Sequence, residues 1–297
     1  MTKTPIIDVM HRALDASDAV IRPYFRALDQ VDDKTGGAPS GAPGSGDHAS
    51  DAPAFDPVTE ADRAAEQAII EVIRDAFPDD AIVGEESGRS DGATSRTWII
   101  DPIDGTRAFV AGLPTFGTLL GLLEDGVPRF GAMSQPILAE RFVGGDVGRS
   151  GGDGTRADSP SSSALAQYVS RSGEKSPLRV SGVRDLEAAM LATTDPYLFS
   201  ADERRAFDAC LARCRMIRFG GDCYSYCLLA AGHIDLIIES GLQAYDIAPL
   251  VPIIEAAGGV VTSWSGGAAA GGGQVIAAAS EALADAARAL LSGAAQK

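Results

Sequence analysis

The sequence predicts a layered α+β protein, on three observations. Short apolar runs of strand length alternate with amphipathic helical segments, and the connections between them are of mixed kind. At 297 residues and 45% hydrophobic content, the chain can fill one large domain or two lobes with a sizeable core. No apolar run reaches the roughly 18 residues that a membrane span needs.

The elements follow in order. Residues 5–29 carry Ile6, Val9, Met10, Ala13 and Leu14 at helical spacing, which predicts a helix and then a second short one. Residues 31–34 read as a strand running into a turn. Residues 36–53 are Gly/Ala/Pro/Ser-rich and cannot bury a core, so they read as a flexible insertion, with the matching strand resuming at 54–58. Thr59 caps a long helix with Asp62 three positions on, an analogue of the capping box, and Phe77-Pro78 stops it after Ala76. Strands are expected at 81–84, 97–101, 115–124 and 129–136. Residues 144–176 read as a surface loop with a ragged strand pairing inside it. The C-terminal part predicts strands at 189–194, 215–219, 234–238, 259–262 and 274–278, with helices at 201–214, 222–232, 246–257 and 280–292. The glycine-rich 266–273 lacks the spacing of a dinucleotide loop and reads as a flexible hairpin tip. The division expected is one domain over 1–297, with an N-terminal lobe to about 140 and a C-terminal lobe over about 141–297.

Charge and composition exclude several classes of function. The net charge is −16 and the sequence pI is near 4.5, with no basic stripe, which argues against a nucleic-acid partner. The N-terminal segment is amphipathic without a long apolar run, unlike a secretory signal. No membrane association and a cytoplasmic location are therefore expected. Cys210, Cys214, Cys223 and Cys227 form two C-x3-C pairs, a spacing that invites a zinc reading. They sit in amphipathic or apolar segments, where small buried thiols explain them. His11, His48 and His233 are scattered, which disfavours a histidine metal site or a Ser-His-Asp triad. His233 follows Gly232 at a helix end, a place for capping or exposure.

The chemistry concentrates at Trp98-Ile99-Ile100-Asp101-Pro102-Ile103-Asp104-Gly105-Thr106. The apolar run reads as a buried strand ending in two aspartates, closed by a turn. Carboxylates placed together there repel each other and lose hydration unless a cation neutralises them. A single acidic turn is commonly just solvated, its carboxylates bonded to their own backbone. Two further acidic segments shift that weighting. Glu85 and Glu86 follow Ile82 and Val83, and Asp246 opens a helix-like segment after Tyr245. Three acidic clusters at the edges of apolar elements point to an oxygen-ligand site for a hard cation such as Mg²⁺.

GEES, WIIDPIDGT and YDIAPL, with DPVTEAD before them, resemble the signature segments of the inositol-monophosphatase-like, Mg²⁺-dependent and Li⁺-sensitive phosphatases. The resemblance covers roughly residues 5 to 285, and four ordered motifs make it specific. Within that family, DGTRAFVAGLPTFGTLLGL and the FGGDCYSYC and ESGLQAYD segments are most similar to the histidinol-phosphate phosphatase branch. The resemblance implies a five-layer αβαβα sandwich of the inositol monophosphatase/fructose-1,6-bisphosphatase type, a homodimer, and two or three Mg²⁺ ions. It implies one ion on Glu85, Asp101 and the Ile103 carbonyl, and a second on Asp101, Asp104 and Asp246. Asp62 would hold the Thr106 hydroxyl, and Thr106 with Glu85 would orient the attacking water. The N–H groups of Gly105 and Thr106 would grip the phosphate beside a helix N-terminus. Asp62 and Asp246 could alternatively be helix-terminal charges favourable to the dipole.

The family also carries a Lys shortly before its V-T-x-x-D segment. Excising the insertion joins VDDKTGG to AFDPVTEAD and puts Lys34 there, with a solvated turn lysine as the alternative. Glu239 matches a family position that contacts substrate hydroxyls, and Arg107 departs from the inositol branch. Asp222 stands beside the expected leaving-group pocket, where a carboxylate suits a cationic substrate, although a helix N-cap explains it nearly as well. The expected partner is a small phosphorylated metabolite. The expected reaction is Mg²⁺-dependent hydrolysis of L-histidinol phosphate by a metal-activated water, a late step of histidine biosynthesis. The alternatives are an inositol, sugar or nucleotide 3′-phosphate. A non-enzymatic metal-binding regulatory protein would be marked by loss of Glu85, Asp101, Asp104, Thr106 or Asp246, and all five are present.

Overall fold

The computed structural model describes residues 3–27, 32–33, 57–145 and 164–296. The insertion at 36–53, Lys34, His48 and residues 146–163 of the second Gly/Ser-rich stretch lie outside the described residues.

The chain opens with α1 (Lys3–Tyr24), which buries Val9, Met10, Ala13 and Leu14 along one stripe. Among the described residues no second short helix follows, because the chain turns at Arg26 (φ 62), whose Nε and Nη2 both donate to the Gly112 carbonyl. Strands β1 (Asp32–Asp33) and β2 (Pro57–Val58) pair antiparallel, so the expected strand–insertion–strand arrangement closes as a ribbon. Then α2 (Glu60–Ala76) begins at Thr59, whose N–H donates to Asp62 Oδ2 at 2.9 Å, and ends at Phe77.

The large sheet is built next. Its strands are β3 (Ala81–Gly84), β4 (Gly88–Ser90) and β5 (Arg96–Asp104). After the short helix α3 (Thr106–Val110) come β6 (Gly117–Glu124), β7 (Val127–Gln135), β8 (Glu140–Gly145), β9 (Leu165–Val169) and β10 (Lys175–Pro177). They form eight strands in the order β10-β9-β8-β7-β6-β5-β3-β4, antiparallel except for β3 against β5. This sheet runs to Pro177, well past the lobe division read near residue 140. The β9–β10 pair is the ragged strand pairing expected within 144–176. Strands β4 and β8 are short and carry glycines without clear apolar alternation, which is why pattern reading passes over them.

The second half contains β11 (Met190–Thr193), α4 (Ala201–Leu211), β12 (Met216–Phe219), α5 (Asp222–Ala230) and β13 (Leu236–Leu242). It continues with α6 (Ala244–Ile247), α7 (Leu250–Ala256), β14 (Val260–Ser263), β15 (Gly273–Ala278) and α8 (Glu281–Leu291). The small sheet has the order β12-β11-β13-β15-β14. The single helix expected over 246–257 is divided into α6 and α7 where Pro249 and Pro252 withdraw backbone donors. The glycine-rich 266–273 does connect β14 to β15. It is anchored instead of loose, because Ala269 is buried in the core between the sheets.

Three hydrophobic clusters define five layers. Helices α1 and α2 pack on one face of the large sheet through Ile69, Ile73, Trp98 and Leu120. Helices α5 and α7 fill the space between the sheets through Tyr226, Leu229, Ile253 and Ile254. Helices α4 and α8 cover the outer face of the small sheet through Phe207, Trp264 and Leu283. The αβαβα sandwich expected from the sequence is therefore the observed fold. The middle layer sits tightly on the large sheet. A Cβ added at Gly131 or Gly144 would overlap the backbone of Pro249 or of Pro252 and Ile253, so only glycine admits α7 at that distance.

Candidate metal centre

Asp101 and Asp104 lie at the C-terminal end of β5, an interior strand of the large sheet. The sequence suggests that the strand ends at Asp101 and turns; instead β5 continues through Asp104 with a bulge. Asp101 pairs with Leu119 and Asp104 with Gly117, so β5 carries one residue more than β6 between those pairings. Pro102 sits inside the bulge, where its missing N–H leaves no gap in a ladder. Asp246 reaches the same point from α6, just after β13 of the small sheet. One oxygen from each of Asp101, Asp104 and Asp246 lies within 4.8 Å of the others.

Backbone amides hold all three. Asp101 Oδ1 accepts from Ile103 N at 3.1 Å, Asp104 Oδ2 from Cys223 N at 2.7 Å, and Asp246 Oδ2 from Gln243 N at 2.7 Å. Burial pushes Asp101 well above the usual carboxylate range, and the negative charges of Glu85, Asp104 and Asp246 push it further. Burial does the same to Asp104, with Asp246 and Asp222 adding to it. Converging, desolvated, like-charged oxygens with no sulfur or imidazole among them fit a hard divalent cation such as Mg²⁺. Among the described residues no other group of carboxylate, imidazole and thiol ligands converges in this way.

Glu85 follows β3, and its N–H donates to Ile100 O at 3.1 Å, which brings it beside the β5 aspartates. Asp62 is fully buried, but the structure does not pair it with Thr106. The capping of α2 occupies Asp62 Oδ2, which accepts from both Thr59 N and Thr59 Oγ1, while Oδ1 is buried with no donor. The Thr106 hydroxyl instead donates to the Ile103 carbonyl at 3.0 Å. Burial, with Glu85 and Glu86 among the lesser causes, pushes Asp62 to about 6.

On the far side of the cluster, Asp222 is not the helix N-cap. Gly221 takes that position, and Asp222 is the first residue of α5 with φ 42, a conformation rarely held without a local reason. Gly105, itself at φ 83, lies against it, and a Cβ there would come 2.9 Å from Asp222 Cβ. Burial pushes Asp222 to about 6, and the exposed Arg107 works against that. Glu239 on β13 is buried. Its Oε1 accepts from Thr194 N at 2.6 Å and its Oε2 from Thr193 Oγ1 at 3.0 Å, and burial pushes it to about 7. Sequence reading missed two residues. Tyr226, one turn after Asp222, buries a hydroxyl with no hydrogen-bond partner, within the field of Glu239, Asp104 and Asp246. Glu66, one turn after Asp62, is buried beside the Glu85 turn. The only signal for each was its spacing of four from a residue already singled out.

The cysteines fall into two separate cores, Cys223 and Cys227 between the sheets and Cys210 and Cys214 beneath α4 and α8. The four thiols therefore do not share one ion.

The five-layer αβαβα sandwich, which brings Asp101 and Asp104 of the large sheet and Asp246 of α6 together, is the fold class of the inositol monophosphatases. Residues 3–296 match the inositol monophosphatase family, and the chain belongs to it. It is 38% identical over 253 residues to the chloroplastic bifunctional phosphatase IMPL2 of Arabidopsis thaliana, covering 84% of this chain and 62% of that protein. It thus spans less than two thirds of the plant protein's length. It is 34% identical over 252 residues to the histidinol-phosphatase of Mycobacterium tuberculosis, covering 84% of each. Among solved structures, the inositol monophosphatase of Zymomonas mobilis superposes with a TM-score of 0.75 at 37% identity, over 98% of this chain and 99% of that one. Enzymes of this family use Mg²⁺ and act on small phosphorylated substrates. No helix among the described residues is long and apolar enough to cross a membrane.

Proposed function

We propose that the protein is a Mg²⁺-dependent phosphomonoesterase that hydrolyses L-histidinol phosphate to L-histidinol and phosphate, a step of histidine biosynthesis. The observation that carries the substrate choice is Asp222, a carboxylate held at a strained φ against Gly105 and within the field of Asp104.

Asp101, Asp104 and Asp246, with Glu85 and the Ile103 carbonyl, would hold two or three Mg²⁺ ions. Bound Mg²⁺ screens the phosphate charge, acidifies water and steadies the departing alkoxide. The chain's own groups then orient the substrate. The N–H groups of Gly105 and Thr106 face the phosphate. Glu85 and the Thr106 hydroxyl align the attacking water, with Asp62 buried nearby; the family resemblance adds Lys34 to these catalytic groups. Asp222 pairs with the protonated amine of histidinol, and Arg107 favours its ionised form. Glu239 takes one donor on each oxygen from the protein, and each oxygen keeps a lone pair for the substrate. We infer a homodimer from the same family resemblance.

A panel of phosphomonoesters with Mg²⁺ tests this: histidinol phosphate, inositol 1-phosphate, a sugar phosphate and a nucleotide 3′-phosphate. The highest kcat/KM is expected on histidinol phosphate. A preference for inositol 1-phosphate would place the protein with its inositol-cleaving relatives instead.

A further inference from the structure

Glu66 is 2% exposed, and it spends both carboxylate oxygens on a turn of another element. Its Oε2 accepts from Glu86 N at 2.9 Å and its Oε1 from Ser87 N at 2.8 Å. These amides open the turn between β3 and β4. The carboxylate therefore terminates that turn much as a capping side chain terminates a helix, through charge-assisted bonds. Glu85, the residue just before, donates its own N–H to Ile100 O at 3.1 Å, which extends the β3–β5 ladder by one rung. Its backbone is thus held by the sheet on one side and by Glu66 on the other. Gly84 makes the contact possible, because a Cβ there would stand 2.5 Å from Glu66 Cδ and Oε1. Asp62 and Glu66 are four residues apart on α2 and so lie on the same face of that helix, where Asp62 caps the helix itself and Glu66 reaches the Glu85 turn.

We propose that Glu66 is a positioning residue for the metal centre: by fixing the Glu86 and Ser87 amides it sets the direction from which Glu85 meets Asp101, and so the affinity for the ion between them. This rests on the reading of Glu85 as a metal ligand. A carboxylate suits the task because it offers two equivalent acceptors to two neighbouring N–H groups. Glutamine has the same shape but turns an NH₂ donor toward one of those amides.

The test is calorimetric titration of the metal-free protein with Mg²⁺ alone, which needs no substrate. Glu66→Gln is expected to raise the Kd of one class of Mg²⁺ site about 10- to 100-fold, the usual effect of losing a residue that orients a ligand. Glu85→Gln should raise it at least as much, and Glu66→Gln added to Glu85→Gln should change it little further, since the first acts through the second. Asp80→Asn is the control. Asp80 is a buried carboxylate of the same lobe, bonded to Thr94, Arg96 and Trp98, and its loss should lower the melting temperature without moving the Kd. An unchanged Kd in Glu66→Gln beside a raised one in Glu85→Gln overturns the positioning role. An unchanged Kd in Glu85→Gln overturns the metal-ligand reading beneath it and the proposal with it. Should the Glu66 variant not fold, amide exchange on the wild type decides. Slow exchange at Glu86 and Ser87, slowed further by Mg²⁺, supports the brace, and fast exchange removes it.

Discussion

Asp101 concentrates the electrostatic problem of the molecule in one side chain. It is buried among Glu85, Asp104 and Asp246, and its ionised form is penalised by all of them. Asp101→Asn should therefore leave the metal-free protein as stable as the wild type or more so, while turnover with Mg²⁺ disappears. Melting curves in chelator and kcat in excess Mg²⁺ read the two effects. Retention of more than a tenth of wild-type kcat, a loss under ~1.4 kcal/mol, would show that the carboxylate is dispensable. Glu239 supplies a pH test. Its pKa is raised from its ordinary value of 4.5 to about 7, so in that window the folded protein binds the proton more tightly than the unfolded chain. Its contribution to stability is then complete below pH 4.5 and lost as the pH rises through 7. That loss is roughly 3 kcal/mol at about 1.4 per pH unit. Glu239→Gln should flatten the fall in stability of the metal-free protein between pH 5 and 8, as denaturant titrations at each pH would show. An unaltered pH dependence would mean that Glu239 ionises freely. Asp222 governs selectivity. Asp222→Asn should cost histidinol phosphate about 10- to 150-fold in kcat/KM, the worth of one charge-assisted hydrogen bond, and cost a neutral alcohol phosphate far less. An equal loss on both would leave Asp222 a backbone role only.

At the scale of elements, the fit of α7 against the large sheet should be the least forgiving. Gly131→Ala would drive a methyl group into the Pro249 carbonyl, at the joint between α6 and α7. Overpacking of this kind costs about 1–3 kcal/mol. Because α6 carries Asp246, the same substitution should weaken Mg²⁺ binding as well as lower the melting temperature, although Gly131 supplies no ligand. A stability loss with Mg²⁺ affinity intact would separate the helix joint from the site. Much of this layer was legible in the sequence. The helices α2, α4, α5 and α8 and the strands β3, β6, β7, β11 and β15 announce themselves through spacing, caps and apolar runs, each with its ends within a few residues of those observed. The rest was hidden for physical reasons. Strands β4 and β8 gain their stability from pairing with neighbours, which a local pattern does not record. The extension of β5 through Pro102 needs a bulge that only its partner strand makes possible.

For the whole molecule, the ion site joins two sheets. Asp101 and Asp104 come from the large sheet and Asp246 from the segment leaving the small one, so a bound cation should tie the halves of the sandwich together. Stability should rise with Mg²⁺ concentration, by ~2.7 kcal/mol at a hundredfold excess over Kd. Scanning calorimetry across a Mg²⁺ series reads this directly, and a melting temperature indifferent to Mg²⁺ would deny any folded-state binding. The convergence of Asp101, Asp104 and Asp246 was legible because several acidic clusters at the edges of apolar segments are harder to explain by solvation than a single one. Glu66 and Tyr226 were not legible, because they look like ordinary helix residues until α2 and α5 are laid against the sheets.

The bulge in β5 has one more consequence. On an uninterrupted strand, side-chain direction alternates like odd and even numbers, so residues three apart point to opposite sides of the sheet. Asp101 and Asp104 are of opposite parity, yet their oxygens meet at one point. The extra residue between their pairings with Leu119 and Gly117 cancels the difference. Their spacing is thus a property of two strands together. Anyone grafting this pair onto a regular strand of another protein would have to graft the irregularity with it, or move the aspartates to an even separation.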